Sequence, residues 1–480
     1  MLQTLKNAWR TKEIRGKILF TLFILLLYRI GTVVPVPYVD ANNFAGQFNN
    51  GSILQYMDVL SGGSLGATTL FALGVSPYIN SSIIIQLLSV VFPKLGELAK
   101  NDKKKMGYIT RTLTVALAII TGFGYYLLLS QSTGTLAPEA TKGKGPAYVF
   151  YAIVIIACYV AGACLIMWLA DRINERGIGN GISMILFANI VATLPSQVYE
   201  MMQFVVIPTF NYPKNVKVGF IIASILFALG LLAVVLALTV FVIFVTGSER
   251  RIPVQYSKRV VGRKMYGGQN THLPIKLNMT GVMPVIFASS IVSLVPTILA
   301  FFGITGAGTT KYKFWEGVAR VLGSDGVIYP IALFVLIIGF AYFYTQITFD
   351  PTEVANNLRK QGGTIRGIRE GRPTAEYIKK ILNKITLAGA LFLSIVAVLP
   401  AIAGPHLIEP LIEWILKGSA GGNAATLANG ASYYASQAQA LASTFTFGGT
   451  SLIIVVGVAL ETFRDLEAQL TMRSYKGFLN

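Results

Sequence analysis

The chain has 480 residues, of which 54% are hydrophobic and only 13% are charged, and its formal net charge is +19. A soluble domain carries about a quarter charged residues, so this composition excludes an ordinary soluble protein. The apolar residues lie in long blocks without Asp, Glu, Lys or Arg. Most blocks reach the roughly 20 residues that a helix needs to cross a bilayer. We therefore predict an all-α polytopic membrane protein.

The apolar blocks predict ten membrane-spanning helices, at residues 17–37, 60–92, 108–130, 147–170, 180–199, 217–246, 279–302, 327–349, 384–402 and 448–466. The second block is broken, because Ser61-Gly-Gly-Ser-Leu-Gly66, Gly74 and Pro77 interrupt it. Unpaired backbone groups cost several kcal/mol in lipid, so a broken segment must face protein or a water-filled cavity. We expect a short half-helix at about residues 57–72 that folds into a funnel.

The distribution of positive charge predicts the topology. If the N-terminus is cytoplasmic, the cytoplasmic segments hold 31 of the 40 Lys and Arg residues, the outer loops hold 8, and Arg29 lies within the first span. Lys and Arg collect in cytoplasmic loops, so both termini are expected in the cytoplasm. The resulting basic face is suited to anionic lipid or to a large acidic partner, and the charge alone does not choose between them.

A short motif recurs in the two parts of the chain. Residues 74–82 and 281–289 share Gly, Val, Pro, Ile and Ser at the same offsets, and they open the second and the seventh predicted spans. This spacing predicts two pseudo-symmetric halves of five helices each, at residues 1–211 and 212–480. Helices interrupted by Gly and Pro at corresponding positions of two halves indicate a functional site between the halves.

The sequence lacks the patterns of an enzyme. It has no Gly-x-x-x-x-Gly-Lys-Ser/Thr loop for ATP, and His272 and His406 form no cluster with metal-binding spacing. Gly181-Ile-Ser183-Met slightly resembles the nucleophile motif of membrane serine proteases, but that chemistry needs a histidine base within reach. The spans hold almost no ionisable residues. This disfavours the rival class, an ion-coupled transporter of small solutes, and favours a passive conduit.

Ten short motifs, in order along nearly the whole chain, resemble the SecY family of bacterial protein-conducting channels. They are Arg29-Ile-Gly31 with Val34-Pro-Val-Pro37, Leu60-Ser-Gly-Gly63, Phe71-Ala-Leu-Gly74, Pro77-Tyr78, Ile83-Ile-Ile-Gln-Leu-Leu88, Glu175-Arg-Gly-Ile-Gly-Asn-Gly-Ile-Ser183, Thr271-His-Leu-Pro274, Ile286-Phe-Ala-Ser-Ser-Ile291 and Phe447-Gly-Gly-Thr-Ser-Leu452. The resemblance implies an hourglass pore between the two halves, with no enzymatic activity and no cofactor. It implies that the pore carries unfolded secretory polypeptides and releases transmembrane helices sideways into the membrane.

The resemblance implies a ring of bulky apolar side chains at the waist of the pore. Matched motif by motif, the ring falls on Val75, Ile79, Ile182, Leu186, Ile286 and Ile454. The first two and the next two are i, i+4 pairs, so each pair shares one helix face. An apolar constriction excludes water and ions because it offers them no partners. Without the family, ordinary packing of a helix bundle is the alternative.

The resemblance also implies a plug that closes the funnel on its outer side, and a gate that opens sideways into lipid. The plug residues are Leu60, Ser61, Gly62, Gly63, Ser64 and Leu65. Gln86 and Asn180 match polar positions near the lateral gate. A polar contact between membrane helices is worth about 1 kcal/mol, little enough for an arriving signal helix to break. The alternatives are a re-entrant structural loop for the plug and simple helix–helix contacts for the gate.

The two longest cytoplasmic loops, at residues 249–276 and 350–384, resemble the family's docking sites for the ribosome or the motor ATPase SecA. The basic residues implied there are Arg250, Arg251, Arg263, Lys264, Arg366 and Arg369. Solvated charges that merely follow the topology rule are the alternative. The resemblance further implies the small membrane partners SecE and SecG, substrates with signal sequences, and a place in the bacterial plasma membrane.

One segment departs from the family. The outer segment between the last two spans, at about residues 403–446, is longer than is usual. The sequence pattern of residues 405–416 predicts an amphipathic helix on the membrane surface. A glycine-rich stretch follows it.

Overall fold

The computed structural model describes residues 2–40, 44, 53–131, 135–136, 146–210, 218–256, 259–261, 264–266, 270–302, 317–318, 328–412, 414 and 448–472. The first half of the chain contains eight described helices of eight residues or more. They are α1 (Leu2–Arg10), α2 (Lys12–Gly31), α3 (Ile53–Ser61), α4 (Ser76–Val91), α5 (Pro93–Asn101), α6 (Lys103–Gln131), α7 (Pro146–Arg176) and α8 (Gly181–Phe210).

The second half adds the helices α9 (Val218–Gly247), α10 (Met283–Phe301), α11 (Ile328–Thr348), α12 (Pro351–Lys360), α13 (Arg372–Ala403) and α14 (448–472). Its strands are β1 (Glu249–Tyr256), β2 (Arg259–Val261), β3 (Lys264–Tyr266), β4 (Asn270–Lys276) and β5 (Gly363–Ile365). The predicted helical class is confirmed, and a small sheet between helices is added to it.

The number of candidate spans among the described residues is consistent with the predicted ten. In the described part of the chain, seven helices are long and apolar enough to cross a membrane, or up to eight if α4 and α5, bent by 118°, are one broken span. The two remaining predicted spans are the helices α2 and α14, whose charged residues leave no long apolar stretch of the kind found in those seven.

Two predicted boundaries near the N-terminus were wrong. The first span ends as a helix at Gly31, not at residue 37, because prolines 35 and 37 have no N–H to donate and cannot continue the helix. The half-helix of the second region is α3, and the chain from 62 to 75 consists of turns. Gly62 and Gly63, with φ of 72° and 84°, end α3 in a conformation that other residues avoid.

The two predicted cytoplasmic loops form one packed unit rather than two loops. Strand β1 lies between β4 and β5, and both pairings are antiparallel. The register pairs Ile252 with Leu273, and Val254 with Ile365. Alternate residues of β1 point into a cluster that the start of α13 completes with Ile378. The helix α13 therefore begins twelve residues before the predicted start of the ninth span.

The helix predicted at residues 405–416 is present over its first part, but it is not separate from the ninth span. The chain continues α13 through a π-helical turn at Gly404–Ile408 and remains helical to Ile412. Pro405 explains the turn, because its ring and missing N–H prevent a regular α-helical step. Most of the remaining outer segment lies outside the described residues.

Candidate functional site

Five of the six predicted ring residues line one small cavity in the middle of the helices. The cavity has a volume of about 20 Å³ and is lined by Leu60, Ser61, Gly74, Val75, Ser76, Ile79, Leu186, Ile286, Ser289, Ser290 and Ile454. A cavity needs about 10–15 Å³ to hold one water molecule, so this cavity has room for about one. Five helices from both parts of the chain, α3, α4, α8, α10 and α14, meet at this point.

The ring side chains are almost fully buried. Relative exposure is 3% for Val75, 6% for Ile79, 2% for Leu186, 4% for Ile286 and 1% for Ile454. All five belong to the largest hydrophobic cluster of the described residues. Burial of this kind is what a shut apolar constriction requires, since each side chain is covered by the others.

The sixth ring residue, Ile182, does not line the cavity. It lies one turn before Leu186 on α8 and packs at the edge of the same cluster. Three serines of the lining, Ser76, Ser289 and Ser290, were not among the predicted site residues. Ser289 donates its hydroxyl to the carbonyl of Ile286 in its own helix, at 3.0 Å. This local bond satisfies the hydroxyl of Ser289. Because Ser289 follows Ile286 by three residues on one helix, the spacing could have indicated that both side chains lie on the same face.

The repeated motif folds alike in its two copies. Gly74 and Gly281 have φ of 56° and 64°. The valine after each glycine caps the helix with nearly the same dihedrals, and each helix has a proline in its first turn. Ile79 and Ile286 therefore occupy equivalent positions one turn later, and both line the cavity. The repeat thus sets two of the ring positions through backbone geometry.

Segment 53–75, which comprises α3 and the turns after it, covers the cavity. Leu60 and Ser61 form part of the lining. Asp58 Oδ1 accepts the backbone N–H of Gly66 at 2.7 Å, and Ser61 Oγ accepts the N–H of Leu65 at 3.0 Å. These bonds close the turn on itself, so a glycine-rich stretch is held in one compact shape.

The two polar residues predicted for the gate make local bonds. Gln86 Nε2 donates to Ser82 Oγ, one turn earlier on α4, at 3.2 Å. Asn180 Oδ1 accepts the N–H of Ile182 at 3.1 Å and so caps the start of α8. The helices α4 and α6 both pack on α10. The role of these two side chains at the gate stays a prediction.

The basic residues predicted for docking lie on the small sheet or beside it. Arg250 and Arg251 are exposed on β1, and Arg366 and Arg369 are exposed directly after β5. Pairing of β1 with β5 brings the four together from distant parts of the chain. Arg251 has Glu249 as an exposed ion-pair partner at 2.7 Å.

The other two predicted docking residues are less defined. The backbone of Lys264 belongs to β3, and Arg263 lies outside the described residues.

The geometry defines a multi-pass membrane protein whose apolar helices pack around a small, buried central cavity. A SecY family model matches residues 69–463. The chain is 40% identical over 489 residues to the protein translocase subunit SecY of Streptomyces galbus and 37% identical over 490 residues to that of Mycobacterium bovis, and both alignments cover 100% of each chain. The chain belongs to the SecY family.

Solved structures support the fold at lower sequence identity. A protein conducting channel superposes with a TM-score of 0.58 at 17% identity, covering 95% of this chain and 92% of that chain. Sec61 in the canine ribosome-channel complex superposes with a TM-score of 0.54 at 16% identity, with the same coverage.

Proposed function

We propose that this chain is the pore subunit of a bacterial protein translocase, a passive channel for unfolded secretory polypeptides. The observation that carries the proposal is the waist cavity, where apolar side chains of four helices meet under segment 53–75. An apolar collar makes no hydrogen bonds with a passing chain, so it accepts any sequence. The same collar keeps ions out when the channel is empty.

In this proposal each predicted group of residues has one task. The six ring residues form the collar, and residues 57–72 of segment 53–75, which include Leu60 to Leu65, are the plug. The helices α4 and α6 part from α10 and α11 to release apolar helices into lipid. The halves 1–211 and 212–480 are the two bodies that move apart.

The energy for transport comes from partners, and the chain itself contributes no catalytic step. The basic unit around Arg250, Arg251, Arg366 and Arg369 is the proposed docking site for SecA or the ribosome, and ribosomal RNA would add a salt-dependent attraction. A solved relative in fold was observed in a ribosome-channel complex. SecE and SecG are the proposed membrane partners, and anionic lipid is proposed to cover the rest of the basic face. We place the chain in the plasma membrane with both termini cytoplasmic.

A stalled substrate tests the proposal. The two cysteines, Cys158 and Cys164, are free thiols and are replaced first. A single cysteine at Ile286 in the waist is compared with one at Val335 on α11, a side chain 61% exposed on the outer surface of the bundle. The channel is reconstituted with SecA and SecE, and a secretory chain is halted during transport.

We expect an ATP-dependent crosslink from residue 286 to the stalled chain and none from residue 335. Equal crosslinking at the two sites, or crosslinking at 335 alone, would contradict the assignment of the waist. If the reconstituted protein moves no secretory chain at all, the proposed function itself fails.

A further inference from the structure

Two buried side chains donate hydrogen bonds to backbone carbonyls of segment 53–75. Asn189, on α8, donates from Nδ2 to the carbonyl of Leu60 at 2.8 Å. Tyr125, on α6, donates its hydroxyl to the carbonyl of Leu65. Asn189 is 0% exposed and Tyr125 is 1% exposed. Buried bonds of this kind are costly to break, because the donor is then left without a partner.

A third donor reaches the carbonyl between these two. Arg29, on α2, lies with Nη1 3.5 Å from the carbonyl of Gly62, a long contact for a hydrogen bond. A methyl group on Gly62 would lie 2.8 Å from Asn189 Oδ1 and 2.9 Å from Arg29 Nη1. The glycine backbone therefore fits directly against two of the three donors.

Among the described residues, the contacts that the second part of the chain makes with segment 53–75 are mainly apolar. Ile286 and Ile454 face the segment with apolar side chains across the cavity. Thr297 Oγ1, on α10, lies 3.1 Å from Met57 Sδ but also 2.6 Å from the carbonyl of Ser293. A hydroxyl has one proton, and the shorter contact to a carbonyl is the stronger hydrogen bond.

We propose that Asn189 and Tyr125, assisted by Arg29, are positioning residues that hold the plug in its closed seat. All three belong to helices of the first 211 residues, so α10 and α14 can move away from the waist without breaking these bonds. The donors bind backbone carbonyls, so they can hold the plug largely independently of which side chains the plug carries. This inference rests on the proposed function, because it assigns a closing role to segment 53–75.

The test measures ion leak through the channel at rest. The full chain is reconstituted with its membrane partners in vesicles, and leak is recorded without substrate for Tyr125→Phe and Asn189→Leu. Loss of one typical hydrogen bond shifts an equilibrium by roughly threefold to tenfold. We expect leak to rise by about that factor for each variant, with the unfolding temperature and the amount of folded protein unchanged.

Two matched variants serve as controls. The ring of Tyr159 lies 5.0 Å from that of Tyr125, and its hydroxyl has no hydrogen-bond partner among the described residues. Tyr159→Phe therefore removes a hydroxyl that makes no hydrogen bond to the described part of segment 53–75. Thr297→Val removes the hydroxyl beside Met57. Both should leave the leak at the wild-type level.

Three results would overturn the inference: a normal leak in both Tyr125→Phe and Asn189→Leu, an equal rise in Tyr159→Phe, or a larger rise in Thr297→Val. The leak comparison needs no polypeptide transport. Failure of the wild-type protein to move a secretory chain would therefore count against the proposed function separately.

Discussion

Replacing Gly62 with alanine should loosen the plug, whereas the same change at Gly63 should cost less. Both glycines have left-handed backbone angles, with φ of 72° and 84°. A left-handed backbone conformation costs alanine about 1–2 kcal/mol more than glycine at either position. The two sites differ in their surroundings, since a methyl group at Gly63 meets no atom within 4 Å.

The additional cost at Gly62 follows from two distances. A methyl group there would lie 2.8 Å from Asn189 Oδ1 and 2.9 Å from Arg29 Nη1, and ordinary contacts begin near 3.4 Å. Both side chains must withdraw by about half an ångström, which lengthens the bond from Asn189 to the carbonyl of Leu60. Loss of that bond adds about 1 kcal/mol, or roughly a fivefold shift toward the displaced plug.

Ion leak through resting channels in vesicles is the appropriate assay. Gly62→Ala should leak roughly fivefold more than Gly63→Ala, and Gly63→Ala should leak somewhat more than the wild type. Equal leak in the two variants would refute the reasoning, because backbone strain alone would then explain both effects.

Three further predictions concern the waist, the helix packing and the basic face. Ile286→Ala should enlarge the waist cavity and let it hydrate, which will appear as higher resting ion leak and a loss of about 2–5 kcal/mol in unfolding free energy. Gly162→Ala should lower the unfolding temperature in detergent, because its methyl would overlap the carbonyl of Leu70. Gly339→Ala, which meets no atom within 4 Å, should not. The double variant Arg366→Glu, Arg369→Glu should bind ribosomes more weakly and with a smaller dependence on salt concentration, as measured by sedimentation. The control variant Arg366→Lys, Arg369→Lys keeps both positive charges and should bind nearly normally.

The sequence alone predicted the helical bundle because a bilayer leaves few alternatives. Backbone groups in lipid must bond within their own segment, so apolar blocks of sufficient length become helices. The ring positions at Val75, Ile79 and Ile286 were implied only by the family resemblance, and the repeated motif explains why Ile79 and Ile286 are equivalent. A glycine with positive φ followed by Val and an early Pro sets where a helix begins, and so which face it presents.

The small sheet could not be read from the sequence. Strand β5 has only three residues and pairs with β1 from more than a hundred residues away. Short strands carry too little alternation to be recognised, and their partner is chosen by the helices that bring them together. The resemblance therefore named the basic residues of the two loops, but the assembly of Arg250, Arg251, Arg366 and Arg369 on one unit could not be predicted.

What the sequence by itself determined is thus the helical class and the positions of most spans, since these depend on the composition and length of local segments. Only the tertiary structure decided how the plug is seated. The donors Asn189 and Tyr125 bond to backbone carbonyls, and every residue has a carbonyl. Such contacts leave no pattern in the plug sequence, and they exist only once distant helices have packed around it.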